Sequence, residues 1–279
     1  MNRRGLLVIG ASVLVLAFVA FVVRESGRQY RERQEHRLEG LRQLDAARDD
    51  MVGALRRSVE GGEVTGDPAK QLQEYDARLT AATENLSAAE RKPVVAGQRV
   101  LGQLTPLLQS YARELKTLQD EGFSTPASLS SREAIHARSE AVSRFEKANA
   151  DLLTFYRGVE AVYRAELKKE RLGDAVEMQA VSGFRSGANI PLNITIPEAD
   201  ASLAQLMQKT LDLLDKQWGR WRVTENAEVL FDDEDALAAF SAVQTELEKT
   251  AERQRIAQTQ LLEAASKFQV APRFTGKER

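Results

Sequence analysis

The chain has no cysteine and only two histidines among its 279 residues. The absence of cysteine excludes disulfides, thiol nucleophiles, cysteine-ligated zinc and lipid attachment through a thiol. The two histidines, His36 and His136, are too few for a histidine-rich metal site. We therefore expect no metal and no other cofactor.

Charge of one sign, proline and aromatic side chains are also scarce. The 39 basic and 41 acidic residues leave a net charge of −2, which provides no positive field to attract nucleic acid. The chain has 7 prolines, 6% aromatic residues and 43% hydrophobic residues, and its many Ala, Leu, Glu, Gln and Arg residues are typical of long helices. The composition predicts an all-α protein with a core of its own and no nucleic-acid partner.

Sequence motifs of the common enzyme classes are missing as well. The chain has no Gly-rich phosphate loop and no serine in a nucleophile-elbow context. Glu133 and His136 have the Glu-x-x-His spacing of di-iron bundles, but such a site needs two of these motifs, and Arg33 stands at the matching position before His36. We therefore expect His136 to be a surface histidine, and we expect no catalytic residues and no enzymatic activity.

A long uncharged run lies near the start of the chain. Residues 1–4 form a short tail, and residues 5–23 carry no charge, a run of about 19 residues that is long enough to cross a hydrocarbon core of about 30 Å. A cleaved signal peptide is the alternative, but its apolar stretch is usually only about 7–15 residues, and the spacing around Ala17 and Ala20 does not fit a cleavage site. The pattern favours a single-pass transmembrane helix in a cytoplasmic (inner) membrane.

The orientation of this helix has two opposing indications. A short tail ahead of the first apolar segment usually stays in the cytoplasm, which would place the body on the extracytoplasmic, periplasmic side. Arg24, Arg28 and further arginines follow the segment, and the positive-inside rule would place them in the cytoplasm. We expect an extracytoplasmic body, with a cytoplasmic body as the alternative.

Residues 24–268 show one helical pattern after another, and residues 269–279 form a polar tail. Apolar residues recur at spacings of three and four, as in coiled coils, and Pro93, Gly122 and Gly173 separate successive helices. The sequence therefore predicts a transmembrane helix followed by an elongated antiparallel helical bundle with coiled-coil-like seams. The seam residues are Leu72, Tyr75, Leu79, Ala82, Leu86, Ala89, Leu101, Leu104, Leu108, Tyr111, Leu115, Leu118, Ile135, Val142, Phe145, Leu152, Tyr156, Val159, Tyr163, Leu203, Leu206, Leu214, Trp218, Trp221, Leu237, Phe240, Leu247, Ile256, Leu261 and Phe268.

Several polar residues are placed to begin helices. Ser130 with Glu133, and Thr195 with Glu198, match the capping box. The acidic run 232–235 lacks the alternating ligands of a calcium loop, so we interpret it as the start of the last helix, where the helix dipole favours negative charge. Pro106 lies inside the helix that follows Pro93 and should kink it or move its start downstream.

One stretch, residues 182–197, departs from the helical pattern. Its two glycines and two prolines predict a non-helical connection of a length that is uncommon in compact domains. In an extended chain its alternating apolar residues would point the same way, either packing along the bundle or offering a docking edge to a partner. These residues are Ile190, Leu192, Ile194 and Ile196.

Three further residues are candidates for binding or assembly. Trp218 and Trp221 stand near Arg220 and Arg222, an arrangement that suits a ligand, a partner or a membrane surface, although tryptophans at this spacing more often belong to a helical core. Asn149 falls on an apolar seam, where it would either set register or oligomeric state, which leaves a homo-oligomer open, or face a solvated gap.

These patterns favour a membrane-anchored helical scaffold or accessory protein of the cell envelope that acts by binding another protein. The alternative is a ligand-sensing bundle that signals through a partner, since the chain has no second span and no output module. An enzyme that uses only carboxylates and arginines is the remaining class. The partner-docking candidates are Ile190, Leu192, Ile194, Ile196, Trp218 and Trp221.

Overall fold

The computed structural model of the chain describes residues 39, 42, 43, 46, 49, 53, 76–81, 83, 84, 86, 88–120, 129, 131–224 and 228–267. The expected transmembrane helix, residues 5–23, and the two expected tails lie outside these residues. Among the helices that the structure describes, none combines the length and the apolar character needed to cross a membrane.

The described chain is mostly helical, with packed helices, as the sequence predicts. In chain order the elements are α1 (Ala88–Asp120), α2 (Arg132–Lys169), α3 (Asp174–Ala188), α4 (Ile190–Lys216), β1 (Trp221–Val223), β2 (Val229–Phe231) and α5 (Glu234–Lys267). Residues 76–81, 83 and 84 are also helical. The two short antiparallel strands were not predicted.

The chain divides into two compact units. Unit 1 contains Met1–Leu108, Phe155–Ile194 and Gln258–Arg279, and unit 2 contains Gln109–Thr154 and Thr195–Ala257. Each of the helices α1, α2, α4 and α5 therefore contributes residues to both units.

Unit 1 combines an apolar core with ion pairs between helices. Tyr163 of α2 packs against Phe184 of α3 with ring centroids 4.7 Å apart. At the edge of this contact, Arg185 donates to both carboxylate oxygens of Glu160 at 2.5 and 2.7 Å, and this hydrogen bond lowers the pKa of Glu160. The buried Glu166 accepts from Gln103 of α1 at 3.1 Å. Polar contacts thus join α2 to both α1 and α3.

Unit 2 has a core in which an aromatic pair joins α1 to α2. The rings of Tyr111 and Phe145 lie 5.5 Å apart, and Gln208 of α4 donates to Ser139 of α2 at 2.7 Å. The predicted seam of α2 is confirmed along its whole length, since each of its residues is buried in one unit or the other. These residues are Ile135, Val142, Phe145, Leu152, Tyr156, Val159 and Tyr163.

The predicted seam of the last helix is wrong in part. Leu237 and Ile256 are 39% and 44% exposed, whereas the polar Thr250, Gln254 and Gln258 are buried. The buried face of α5 contains amides and a hydroxyl, so a count of apolar residues alone selects the wrong face.

The prolines of α1 do not divide it as the sequence predicted. The helix begins at Ala88, before Pro93, and continues through Pro106. Pro106 cannot donate a hydrogen bond to the carbonyl of Gly102. Both residues are exposed, so water can satisfy that carbonyl.

The prediction of an extended connection at residues 182–197 is wrong. Helix α3 runs to Ala188, Asn189 adopts a left-handed conformation (φ 40°, ψ 49°), and α4 begins at Ile190. Pro191 lies in the first turn of α4, where a backbone N–H is not needed for helical bonding. A single left-handed residue therefore separates α3 from α4. Because Ile190, Leu192, Ile194 and Ile196 are helical, their side chains do not share one face.

The predicted helix caps have different outcomes. The Ser131 hydroxyl accepts from the N–H of Ala134 at 3.1 Å and so caps α2, whereas the predicted cap residue, Ser130, lies outside the described residues. Thr195 is an exposed residue within α4, so the prediction that it begins a helix is wrong. The acidic start of α5 is confirmed, because the Asp233 carboxylate accepts from the N–H of Asp235 at 3.0 Å.

The cap at Ser131 can be tested against its neighbour. We predict that Ser131→Ala lowers the free energy of unfolding of unit 2 by about 1 kcal/mol, the usual cost of losing an N-cap, and that Ser130→Ala changes it by less than about 0.5 kcal/mol. Both tryptophans of the chain belong to unit 2, so urea unfolding followed by tryptophan fluorescence reports on this unit. Equal losses from the two substitutions would contradict the assignment.

Candidate functional site

A short β-hairpin follows α4 in unit 2. In the turn between α4 and the hairpin, Gly219 takes a positive φ of 79°, a conformation that L side chains rarely adopt. Strands β1 and β2 then pair antiparallel, with Trp221 opposite Phe231, Arg222 opposite Leu230 and Val223 opposite Val229. The N–H of Thr224 donates to the carbonyl of Glu228 at 2.8 Å and continues the pairing.

The hairpin has an inner and an outer face, because side chains alternate along a strand. Phe231 packs on Phe240 of α5 with ring centroids 5.4 Å apart, so the face that also contains Trp221 is the inner one. Arg222 and Leu230 are exposed on the outer face, where Leu230 keeps 37% of its surface accessible. An apolar side chain and a guanidinium group therefore lie side by side in solvent.

The two tryptophans form one contact at the base of the hairpin. Their rings meet edge to face with centroids 5.7 Å apart. The Trp221 indole N–H donates to the carbonyl of Leu214 at 2.9 Å, which satisfies a carbonyl in the last turn of α4. Trp221 is thus fixed in place, whereas Trp218 is 39% exposed. The prediction that both belong to a helix is wrong, since α4 ends at Lys216.

The six predicted docking residues are divided between the two units. Trp218 and Trp221 belong to unit 2, whereas Ile190, Leu192 and Ile194 belong to unit 1. Ile196 is buried in unit 2. Of the six, Trp218 is the exposed residue, whereas Trp221 is half-buried on the inner face. We use the name hairpin surface for the exposed side chains at the base and on the outer face of the hairpin: Trp218, Arg222 and Leu230.

The core of unit 2 contains a buried carboxylate that composition alone did not identify. Asp200 of α4 is 3% exposed. The hydroxyl of Tyr111 donates to its Oδ2 at 2.5 Å, and the amide of Gln254 donates to its Oδ1. Burial raises the pKa of Asp200 to about 7, although both hydrogen bonds act to lower it. The carboxylate joins α1, α4 and α5 within unit 2.

Asn149 adds a polar contact to the same part of α4. It is fully buried, and its side-chain amide donates to the carbonyl of Pro197 at 2.7 Å. This bond accounts for the amide nitrogen, and the solvated gap stays an alternative prediction for the side-chain oxygen. The effect of Asn149 on oligomeric state stays a prediction, but within unit 2 the hydrogen bond specifies how α2 and α4 are aligned. Together, Tyr111, Asn149, Asp200 and Gln254 form what we call the buried polar layer.

The polar layer could have been suspected from spacing. Asp200 lies four residues after the buried Ile196 and four before the buried Ala204, which puts it on the apolar stripe of α4. Gln254 stands between Thr250 and Gln258 at the same spacing. The signal was a polar residue inside a helical stripe, the same signal that identified Asn149.

The surface histidine predicted at position 136 is confirmed. His136 is exposed in the first turns of α2, where its Nε2 lies 3.3 Å from the Asp215 carboxylate. Arg132 donates to the same carboxylate at 2.6 Å and lowers the pKa of Asp215. Because the groups are exposed, solvent weakens the pairing. Within the described ranges no group of three or more acidic, histidine or cysteine residues is arranged to hold a metal ion.

Comparisons of the chain with protein-family models, with curated proteins and with solved structures find no match. Evidence for a function therefore comes from the residues of the chain itself. The hairpin surface is one part of unit 2 with apolar side chains accessible to another molecule; Leu237 and Ile256 of α5 are also exposed, but they are isolated aliphatic side chains on a helix.

The two faces of the hairpin can be distinguished by adjacent substitutions. We predict that Phe231→Ala, which removes the packing on Phe240, lowers the free energy of unfolding by about 1–2 kcal/mol. Leu230→Ala, on the outer face, should change it by no more than about 0.5 kcal/mol. Urea unfolding followed by tryptophan fluorescence measures both. A larger loss from Leu230→Ala would mean that the inner and outer faces are reversed.

Proposed function

We propose that this chain is a non-enzymatic accessory or scaffold protein of the cell envelope, anchored in the inner membrane by residues 5–23, and that it acts by binding another protein through the hairpin surface. The observation that carries the proposal is Trp218, which is 39% exposed while it stacks edge to face on the fixed Trp221.

The chemistry of the hairpin surface suits a protein partner. Tryptophan and arginine are enriched among the residues that dominate binding energy at protein interfaces. Here the exposed Arg220 follows Trp218 by two residues, and the exposed Arg222 stands opposite Leu230 across the strand pair. A partner that covers these side chains would remove apolar surface from water and would meet two guanidinium groups able to pair with its carboxylates.

The rigidity of the support also favours binding. Trp221 is held by the hydrogen bond to Leu214, and Phe231 is held by Phe240. Trp218 packs on this fixed group, so little side-chain entropy remains to be lost when a partner covers it. A preorganised aromatic residue on the surface of a helical unit is consistent with a docking role and offers no group for catalysis.

The proposal can be tested by photocrosslinking in the organism that produces the protein. A photoreactive amino acid replaces Trp218 in the full chain, and the same amino acid replaces Ala242, an exposed residue of α5 in the same unit, as the matched control. We predict one discrete protein adduct from position 218 and none from position 242. The adduct should disappear when Leu230→Arg is introduced as a second substitution.

Three outcomes would contradict the proposal. Equal adducts from both positions would indicate non-specific contact. Adducts with lipid only would mean that the hairpin lies at the membrane surface. No adduct at position 218, in cells where the chain is stably produced, would mean that Trp218 has no binding partner there.

A further inference from the structure

The carboxylate of Asp200 is buried in unit 2 and is contacted by neutral hydrogen-bond donors. It is 3% exposed, and its oxygens accept hydrogen bonds from two neutral groups, the Tyr111 hydroxyl at 2.5 Å and the Gln254 amide. Within the described residues no lysine, arginine or histidine forms an ion pair with it. An ionised carboxylate in such a place carries a large desolvation cost.

Several charged residues of the surrounding helices have partners other than Asp200. On α1, Glu114 is paired with Arg144 of α2 at 3.3 Å. On α5, Arg253 donates to Thr250 at 3.2 Å, and Arg255 is paired with Glu252. On α4 the nearest charged residue in sequence, Glu198, is exposed.

On α2, Lys147 and Asp151 are the charged residues nearest to Asn149 in sequence, and both are exposed. Burial and the hydrogen bonds from Tyr111 and Gln254 are accordingly the causes that act on the pKa of Asp200. Tyr111 is the titratable group that faces it.

We propose that Asp200 is a buried proton-binding site that couples pH to the packing of unit 2, with α1, α4 and α5 held more tightly when the carboxyl is neutral than when it is ionised. The three side chains that meet there come from three different helices, so a charge that appears at Asp200 acts on all three at once.

Both protonation states can be hydrogen-bonded at this site. The ionised carboxylate accepts from Tyr111 and Gln254 as described. The neutral carboxyl carries a hydrogen on one oxygen, and a rotated Gln254 amide can accept it through its own carbonyl oxygen while the Tyr111 hydroxyl still donates to the other oxygen. The two states therefore differ mainly in the charge that is buried.

The direction of the pH effect follows from the raised pKa. In the unfolded chain an aspartate ionises near pH 4, whereas burial raises the pKa of Asp200 to about 7 in the folded protein. The folded state therefore holds the proton more strongly, and its stability must fall with increasing pH between these two values. The contribution of Asp200 is fully present below about pH 4 and is lost once the pH has risen through the folded value, about 7.

The test uses the full chain in a mild detergent and follows thermal unfolding by tryptophan fluorescence, which reports on unit 2. We expect the melting temperature of the wild type to fall by several degrees between about pH 5 and 7.5 and then to level off. Asp200→Asn, which keeps a neutral side chain of the same shape, should lack this decline. Asp212→Asn, which changes an exposed carboxylate of the same helix, should retain it.

Infrared difference spectra of the wild type provide a measurement that does not depend on any variant folding. A protonated carboxyl band that disappears as the pH rises from about 6 to 8 is expected, and Tyr111→Phe, which removes a donor to the ionised form, should move its midpoint to higher pH. The proposal is overturned if no carboxyl titrates in this range in the wild type. It is equally overturned if Asp200→Asn folds and retains the wild-type decline in melting temperature.

Discussion

Burial of one face of α2 is the constraint on which the described structure depends. The helix is polar on its remaining faces, and its buried residues extend from Ile135 to Leu167. In unit 1 that face receives Phe184 of α3 against Tyr163, and in unit 2 it receives Tyr111 of α1 against Phe145. Helices with so much polar surface are not stable alone, so they fold only by covering such stripes.

The buried polar layer adds specificity to this apolar packing. Apolar side chains can slide past one another at small cost, whereas the bond from Asn149 to the Pro197 carbonyl and the two bonds to Asp200 are satisfied in one alignment of the helices. The same layer makes unit 2 sensitive to protons. The hairpin surface has the opposite arrangement, because it exposes apolar groups to solvent on a rigid support. The buried polar layer therefore specifies the fold, and the hairpin surface is the part proposed to bind.

Sequence reasoning succeeded where one physical effect dominated. The seam of α2 was predictable because large apolar residues recur at helical spacing and all of them are buried. It failed where two effects compete. Ile190 to Ile196 alternate as in a strand, but Pro191 fits the first turn of a helix and Asn189 adopts the left-handed conformation that separates α3 from α4. On α5 the buried face contains Gln254 and Gln258, although their hydropathy predicts that they are exposed to solvent. The spacing of Trp218 and Trp221 is compatible with a hairpin as well as with a helix.

Hydrogen exchange of the full chain, measured by mass spectrometry, tests most directly the claim that unit 2 is held by its helices and carries the hairpin on their surface. The account predicts the slowest exchange in the segments that contain the polar layer, 109–118 in α1, 145–152 in α2, 196–204 in α4 and 250–257 in α5. It predicts exchange in β1 and β2 that is faster by at least about tenfold, because that pair can open without disrupting the core. Hairpin amides protected as strongly as these helical segments would contradict the account, as would fast exchange throughout the four segments.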